Sequence, residues 1–184
     1  MSLRIRVADE GDIDAMHRIR LAVRENRLTD PSMIQADDYR RMLGEDGRGW
    51  VAESEGGIVG FAIGDLVRQN VWALFVHPDR EGRGAGRMLH DAMMDWFAAR
   101  GVERVWLSTD PGTRAEAFYR AAGWEEAGEQ RGEARYEMPR EKWLARPISA
   151  GMTRNRGEVL DPGNRESLSL VTDSSPADPD DQRT

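Results

Sequence analysis

Residues 80–87 read REGRGAGR, set between VWALFVHP (71–78) and MLHDAMMDWFAARG (88–101). The run VWALFV is almost continuously apolar and of strand length, so it reads as a strand buried on both faces and stopped by Pro78. From Ala85 onward, Leu89, Ala92, Trp96 and Phe97 recur at helical spacing, and Gly101 closes that helix. A strand running through glycines into a helix start offers backbone N–H groups that have no intrahelical partner, together with the positive end of the helix dipole. That arrangement binds anions. Glycines let the backbone approach without a Cβ in the way, and Arg83 and Arg87 add charge at the rim. Several consecutive amides suit a pyrophosphate better than a single carboxylate. No Gly-Lys-Ser/Thr follows, which excludes a Walker loop, and the full dinucleotide fingerprint is absent.

Outward from this centre the chain alternates strands and helices. Leu3, Ile5 and Val7 alternate with Arg4 and Arg6 as a half-buried strand does, and Asp9 or Asp12 can cap a helix carrying Ile13, Met16, Ile19 and Val23. The segment 26–43 breaks at Pro31 and resumes as a short helix. GWVAESEGGIVGFAIGDL (49–66) reads as a hairpin turning at Glu55, Gly56 and Gly57. Beyond the central helix come a strand, VERVWLST, a helix from Thr113 to Ala122 ended by Gly123, and two strands, WEEAGE and EARYEMP. The expected order is strand, two helices, three strands, helix, strand, helix, two strands: an α/β fold with a mixed sheet, over residues 1–145. Residues 146–184 lose apolar periodicity and end in an acidic, Pro-containing stretch, the composition of a disordered tail.

Composition limits the chemistry. The 184 residues include no cysteine, which removes thiolate metal sites and a Cys nucleophile, and three histidines in no metal-ligand pattern, so no metal is expected. The formal net charge of −7 disfavours a nucleic-acid surface, making the positive charge of REGRGAGR a local feature. No run approaches the roughly 18 apolar residues of a membrane span, and the N-terminus has no apolar leader, so a soluble cytoplasmic protein is expected. A homodimer is left open.

The stretch VHPDREGRGAGRMLHDAM resembles the acetyl-CoA-binding motif of the GCN5-related N-acetyltransferase (GNAT) family, where strand four, a Q/R-x-x-G-x-G/A loop and the next helix hold the cofactor. PGTRAEAFYRAAGW resembles the family's second signature, a helix ending in Phe-Tyr and followed by Gly-aromatic. The resemblance implies a GNAT-like acyl-CoA N-acyltransferase fold and transfer of acetyl from acetyl-CoA to a primary amine, of a small molecule or a peptide, by direct attack without an acyl-enzyme. It implies cofactor contacts at Leu74, Phe75, Val76, Gly82, Arg83, Gly84, Ala85, Gly86 and Arg87, an N–H donor from a bulge at 74–76, and Tyr119 as donor to the departing thiolate. Two positions depart from the pattern. Glu81 stands where Gln or Arg is usual, and Gly112 stands where many members have Asn, seven residues before the tyrosine.

An amine of pKa about 10.4 is neutral in only about one molecule per thousand at pH 7, so a base or a desolvating pocket must help. No carboxylate is singled out as that base. Ser108 occupies the strand-five position where some relatives carry Glu, while Glu25, Asp30, Asp37 and Asp38 fit a solvated face equally well. His77 reads as a turn residue, and His17 and His90 as surface or satisfied core histidines. Trp72 and RENRLTDPSMI (24–34) are the candidates for the acceptor pocket, with mixed charge from Arg24, Arg27 and Arg68 nearby. Glu81, Gly112 and the missing base favour the alternative, an acyl-CoA-binding sensor or partner module that turns over nothing.

Overall fold

The computed structural model describes residues 3–25 and 34–147. Residues 26–33, most of the segment expected to line the acceptor pocket, and all but the first two residues of the expected tail (146–184) lie outside the described residues. The chain divides into two units, Met1–Arg154 and Asn155–Thr184, the second wholly outside that range.

The strands are β1 (Arg4–Val7), β2 (Gly47–Ser54), β3 (Gly57–Asp65), β4 (Asn70–Val76), β5 (Arg104–Thr109), β6 (Glu125–Gln130) and β7 (Glu133–Pro139). The helices are α1 (Ile13–Ala22), α2 (Ala36–Leu43), α3 (Ala85–Ala99), α4 (Arg114–Ala121) and α5 (Arg140–Leu144). All elements read from the sequence are present in the expected order. The short α5 is additional: it follows Pro139 and buries Trp143, whose indole N–H donates to Asp95 Oδ1 at 2.9 Å. Arg146 still packs there, its guanidinium 4.6 Å from the Trp143 ring centroid.

One sheet runs β1-β2-β3-β4-β5-β7-β6. Its neighbours pair antiparallel except β4 and β5, which run parallel and meet only at Asn70↔Trp106. Past that point the two strands part. The far edge of β4 is therefore left without a ladder partner, and only Ala73 of the strand is fully buried. The expectation of burial on both faces is corrected: an apolar run can also line a cleft.

Cores form on both faces of the sheet. Helix α3 lays Leu89, Met93 and Phe97 against β2 and β3 in a cluster that also takes Tyr119, Trp124 and Trp143. Each such side chain contributes about 1.5–3 kcal/mol by leaving water. The close approach depends on Gly64, where a Cβ would stand 2.7 Å from the Phe97 ring. On the other face, α1 and α2 bring Met16, Ile19, Tyr39 and Met42 onto Val51, Phe61 and Ile63. Asp12 does not cap α1 with its side chain; its carboxylate instead takes two hydrogen bonds from Arg6 at 2.7 and 2.8 Å, tying β1 to the helix start. Asp9 caps the preceding 3₁₀ turn (Glu10–Asp12).

Candidate active site

Where β4 and β5 part, a cavity of about 680 Å³ opens. Its walls come from Leu74, Phe75 and Val76 of β4, from the loop and first turn of α3, from α4, and from the end of α1. The strand split explains why it lies there: a parallel pair joined at one residue leaves a wedge between sheet halves, and α3 and α4 flank it.

The loop is shaped by backbone conformation. Gly82 and Gly84 have φ of +73° and +90°, the left-handed region that a side chain disfavours. Gly84 occupies the N-cap of α3 and supplies no side-chain cap, and the first turn holds no acid. The amides of Ala85, Gly86 and Arg87 thus begin the helix without the usual acceptor, beside the Arg87 cation that the dipole there opposes. An anion in the cavity would satisfy both, which is an observation of fit for a pyrophosphate.

Of the residues assigned to the cofactor from sequence, Leu74, Phe75, Val76, Gly82, Gly84, Ala85, Gly86 and Arg87 all line the cavity. Arg83 is not among the lining residues, whereas Arg80 and Arg114 are cations in the wall that sequence reading missed. Arg114 joins two distant segments: its side chain pairs with Glu81, and its backbone N–H donates to Glu25 Oε2 at 2.8 Å. The acid that departs from the family pattern therefore has its charge matched by a cation. Gly112, the other departure, has φ +75° and donates its N–H to Glu116 Oε2 at 2.7 Å, holding the turn that Thr113 caps.

The bulge on β4 lies elsewhere than expected. Pairing with β3 is continuous at Leu74, Phe75 and Val76, and the register shifts between Ala73 and Val71, leaving Trp72 as the extra residue. Bulging Trp72 out of the ladder lets its ring meet Tyr39 edge-on, with centroids 5.5 Å apart. Ser108 is exposed and hydrogen-bonds Glu133.

Tyr119 reaches the cavity from α4 and is 7% exposed. Its ring packs between Phe118 and Trp124, at centroid distances of 5.3 and 5.5 Å. No hydrogen bond holds its hydroxyl among the described residues. Burial alone pushes its pKa well above the ordinary tyrosine value, so the phenol stays protonated.

His90 is a satisfied core residue. Its Nε2 accepts from the Trp124 indole at 3.0 Å, which leaves the proton on Nδ1 to donate to Asp91 at 3.0 Å. Burial, opposed by Asp91, holds its pKa below the ordinary 6.5. The unfolded chain then binds a proton that the folded one refuses. This contribution to stability is complete above about pH 6.5 and is lost as pH falls below it, at up to about 1.4 kcal/mol per pH unit. The melting temperature should therefore drop between about pH 6.5 and 5, and His90→Gln should flatten that slope. An unchanged slope in the variant would assign the acid sensitivity to other groups. His77 accepts from Asp79 N–H at 3.3 Å and starts the 3₁₀ turn Pro78–Arg80, the turn role read from sequence.

Among the described residues, no helix is long and apolar enough to cross a membrane, and no group of three His, Asp or Glu side chains is placed to hold a metal.

A fold split at strand four, with a glycine loop feeding a helix start, defines a class. Residues 13–124 match the Acetyltransferase (GNAT) family, and the chain belongs to it. It is 33% identical to the mycothiol acetyltransferase of Beutenbergia cavernae over 106 residues, 56% of this chain and 32% of that protein. It is 31% identical to the probable N-acetyltransferase 14 of Danio rerio over 123 residues, 61% of this chain and 44% of that protein. The matches thus span less than half the length of these curated relatives. Among solved structures, the ribosomal-protein-S18-alanine N-acetyltransferase from Escherichia coli superposes with a TM-score of 0.61 at 20% identity, covering 83% of this chain and 99% of that one. The PaiA N-acetyltransferase from Thermoplasma acidophilum, in complex with coenzyme A, gives 0.63 at 13% identity over 76% and 99%. At such identity the likeness carries the fold.

Proposed function

We propose that the chain is an N-acetyltransferase that moves an acetyl group from acetyl-CoA to a primary amine by direct attack. The observation that carries this reading is one cavity lined both by the first turn of α3, with its open amides, and by Tyr119 of α4. Ala85, Gly86 and Arg87 would hold the pyrophosphate, with Arg80 and Arg114 adding charge. The cofactor supplies the activated thioester. The amine lone pair attacks the carbonyl carbon, the C–S bond breaks, and the proton lost from nitrogen ends on sulfur. Tyr119 donates a hydrogen bond to the departing thiolate, so little negative charge accumulates in a low-dielectric site. With no Cys in the chain and, among the described residues, no Ser lining the cavity, direct attack is the economical route. Release of free thiol from acetyl-CoA that requires an added amine, across a panel of amines, tests the reading.

A second reading, an acyl-CoA sensor, is favoured by one fact: among the described residues, the carboxylates that line the cavity, Glu25 and Glu81, are both engaged by Arg114, which leaves no free base there. Tight binding with no thiol release in any panel member would select it.

The Glu81–Arg114 pair bears on affinity in either reading. Freed from Glu81, Arg114 could turn fully to phosphate. Its side chain is 71% exposed, so the pair is worth at most about 1 kcal/mol. Glu81→Gln should tighten coenzyme A binding about two- to five-fold at low salt, by calorimetry. Unchanged or weaker affinity would make the pair a plain surface contact.

The further boundary at about residue 145, with a tail that the domain does not need, is proposed on composition.

A further inference from the structure

Helix α4 brings Tyr119 to the cavity, and since no hydrogen bond among the described residues holds the hydroxyl, its place follows from where the helix lies. Two sets of contacts hold that helix. At its middle, the Tyr136 hydroxyl donates to Glu116 Oε1 at 2.7 Å and accepts from Arg120 Nε at 2.7 Å, which ties α4 to β7. At its start the tie runs to a different part of the chain.

The first amides of a helix have no intrahelical acceptor. Neighbouring side chains meet the amides on either side of Arg114: Thr113 Oγ1 accepts from Glu116 at 3.2 Å, and Glu116 Oε2 accepts from Gly112 at 2.7 Å. The Arg114 amide is met from 89 positions away, by Glu25 Oε2 at 2.8 Å. Glu25 follows the end of α1 and lines the cavity, as Arg114 does, so this bond joins two parts of the cavity wall. The carboxylate is charged and lies at the positive end of the helix dipole, and both strengthen the bond. It takes the backbone of Arg114 and not the guanidinium. The tie therefore holds whether that side chain pairs with Glu81 or turns to a phosphate.

We propose that Glu25 is a positioning residue: by holding the first amide of α4 it sets the helix start against the end of α1, and so places the Tyr119 hydroxyl for the departing thiolate. The effect on rate rests on the acetyl-transfer reading; the tie itself does not. At a rise of about 1.5 Å per residue, Tyr119 lies about 7.5 Å along the axis from Arg114, so a tilt at the start carries through to the ring. A misplacement of about 1 Å at a reacting group costs about 10²-fold in rate. The role needs an acceptor oxygen on this side chain and not a base. Glutamine supplies that oxygen and alanine does not.

The test measures thiol release from acetyl-CoA with the fastest amine of the panel, in the wild type, Glu25→Ala, Glu25→Gln, Tyr119→Phe and the double variant Glu25→Ala/Tyr119→Phe. Hydrogen exchange of the Arg114 amide is followed by NMR in the same proteins. Glu25→Ala should lower kcat about 10- to 100-fold and keep coenzyme A affinity within about threefold, because the α3 amides are untouched. Glu25→Gln should recover at least about a third of the parent kcat, since its amide oxygen still accepts. The double variant should be no more than about threefold slower than Tyr119→Phe, because a residue that acts through Tyr119 has nothing left to place. Exchange at Arg114 should quicken about tenfold or more in Glu25→Ala and stay near the parent rate in Glu25→Gln. A Glu25→Gln variant as slow as Glu25→Ala would make the carboxylate itself the acting group and overturn the proposal. A full further loss in the double variant would overturn it too, by giving Glu25 a role independent of Tyr119. So would the parent kcat, or the parent Arg114 exchange, in Glu25→Ala. A wild type that releases no thiol with any amine sinks the acetyl-transfer reading and the positioning role with it, and faster Arg114 exchange in Glu25→Ala then leaves the tie as architecture alone.

Discussion

Gly86→Glu should abolish acetyl-CoA binding while the domain stays folded. Gly86 lies in the first turn of α3, inside the helix and not in the left-handed region, and a Cβ there meets only Val76 Cγ2 at 3.6 Å. The backbone therefore accepts a side chain with little strain. What changes is the cavity, since a carboxylate on this turn would occupy the open amides and place negative charge where a pyrophosphate must sit. Such a charge near a helix N-terminus is favourable to the helix by about 0.3–1 kcal/mol, so the melting temperature should hold or rise. Loss of affinity with retained stability separates blocked binding from unfolding, and Gly84→Glu is less clean because its φ of +90° adds strain. Calorimetry that finds the parent affinity in Gly86→Glu would remove the phosphate-loop assignment.

Features encoded within one turn or one strand length were legible in the sequence, and those that depend on distant partners were not. The strand, loop and helix around REGRGAGR follow from periodicity and glycine placement alone, as do the helix ends at Gly101 and Gly123, both at positive φ. The bulge at Trp72 was misplaced because a bulge is a mismatch of count between two strands, and only the pairing of Val71 and Ala73 with Gly64 and Ile63 reveals it. Helix α5 has too few residues for a period. Arg114 meets Glu81 across 33 positions and Glu25 across 89, separations at which a single sequence carries no signal. Arg20 of α1, a buried cation, did leave a trace. It lies four residues after Met16 and beside Ile19, on the apolar stripe of α1, so a cation at that stripe position could have been flagged as buried.

Tyr119→Phe should lower kcat by about 10²- to 10³-fold, the usual range for loss of one hydrogen-bond donor to charge that develops in the transition state. Coenzyme A affinity and melting temperature should hardly change. The proposed catalytic role and the packing role of this residue use different atoms. The ring contacts Phe118, Trp124 and His90, and Phe preserves all of them. The hydroxyl has no hydrogen bond to lose among the described residues, so the roughly 0.5–1.5 kcal/mol expected from a structural hydroxyl should be absent. Because burial raises its pKa, the phenol is less acidic than a thiol, whose reference value is about 8.5, and full transfer to the thiolate is uphill. In the proposed mechanism it acts by hydrogen bonding as the C–S bond lengthens, and the net proton on sulfur comes from the attacking nitrogen. A Phe variant should therefore keep the rise of rate with pH that amine deprotonation imposes, at a lower plateau. One that turns over at the parent rate would return Tyr119 to the core and move the thiolate's stabilisation to another group in the cavity.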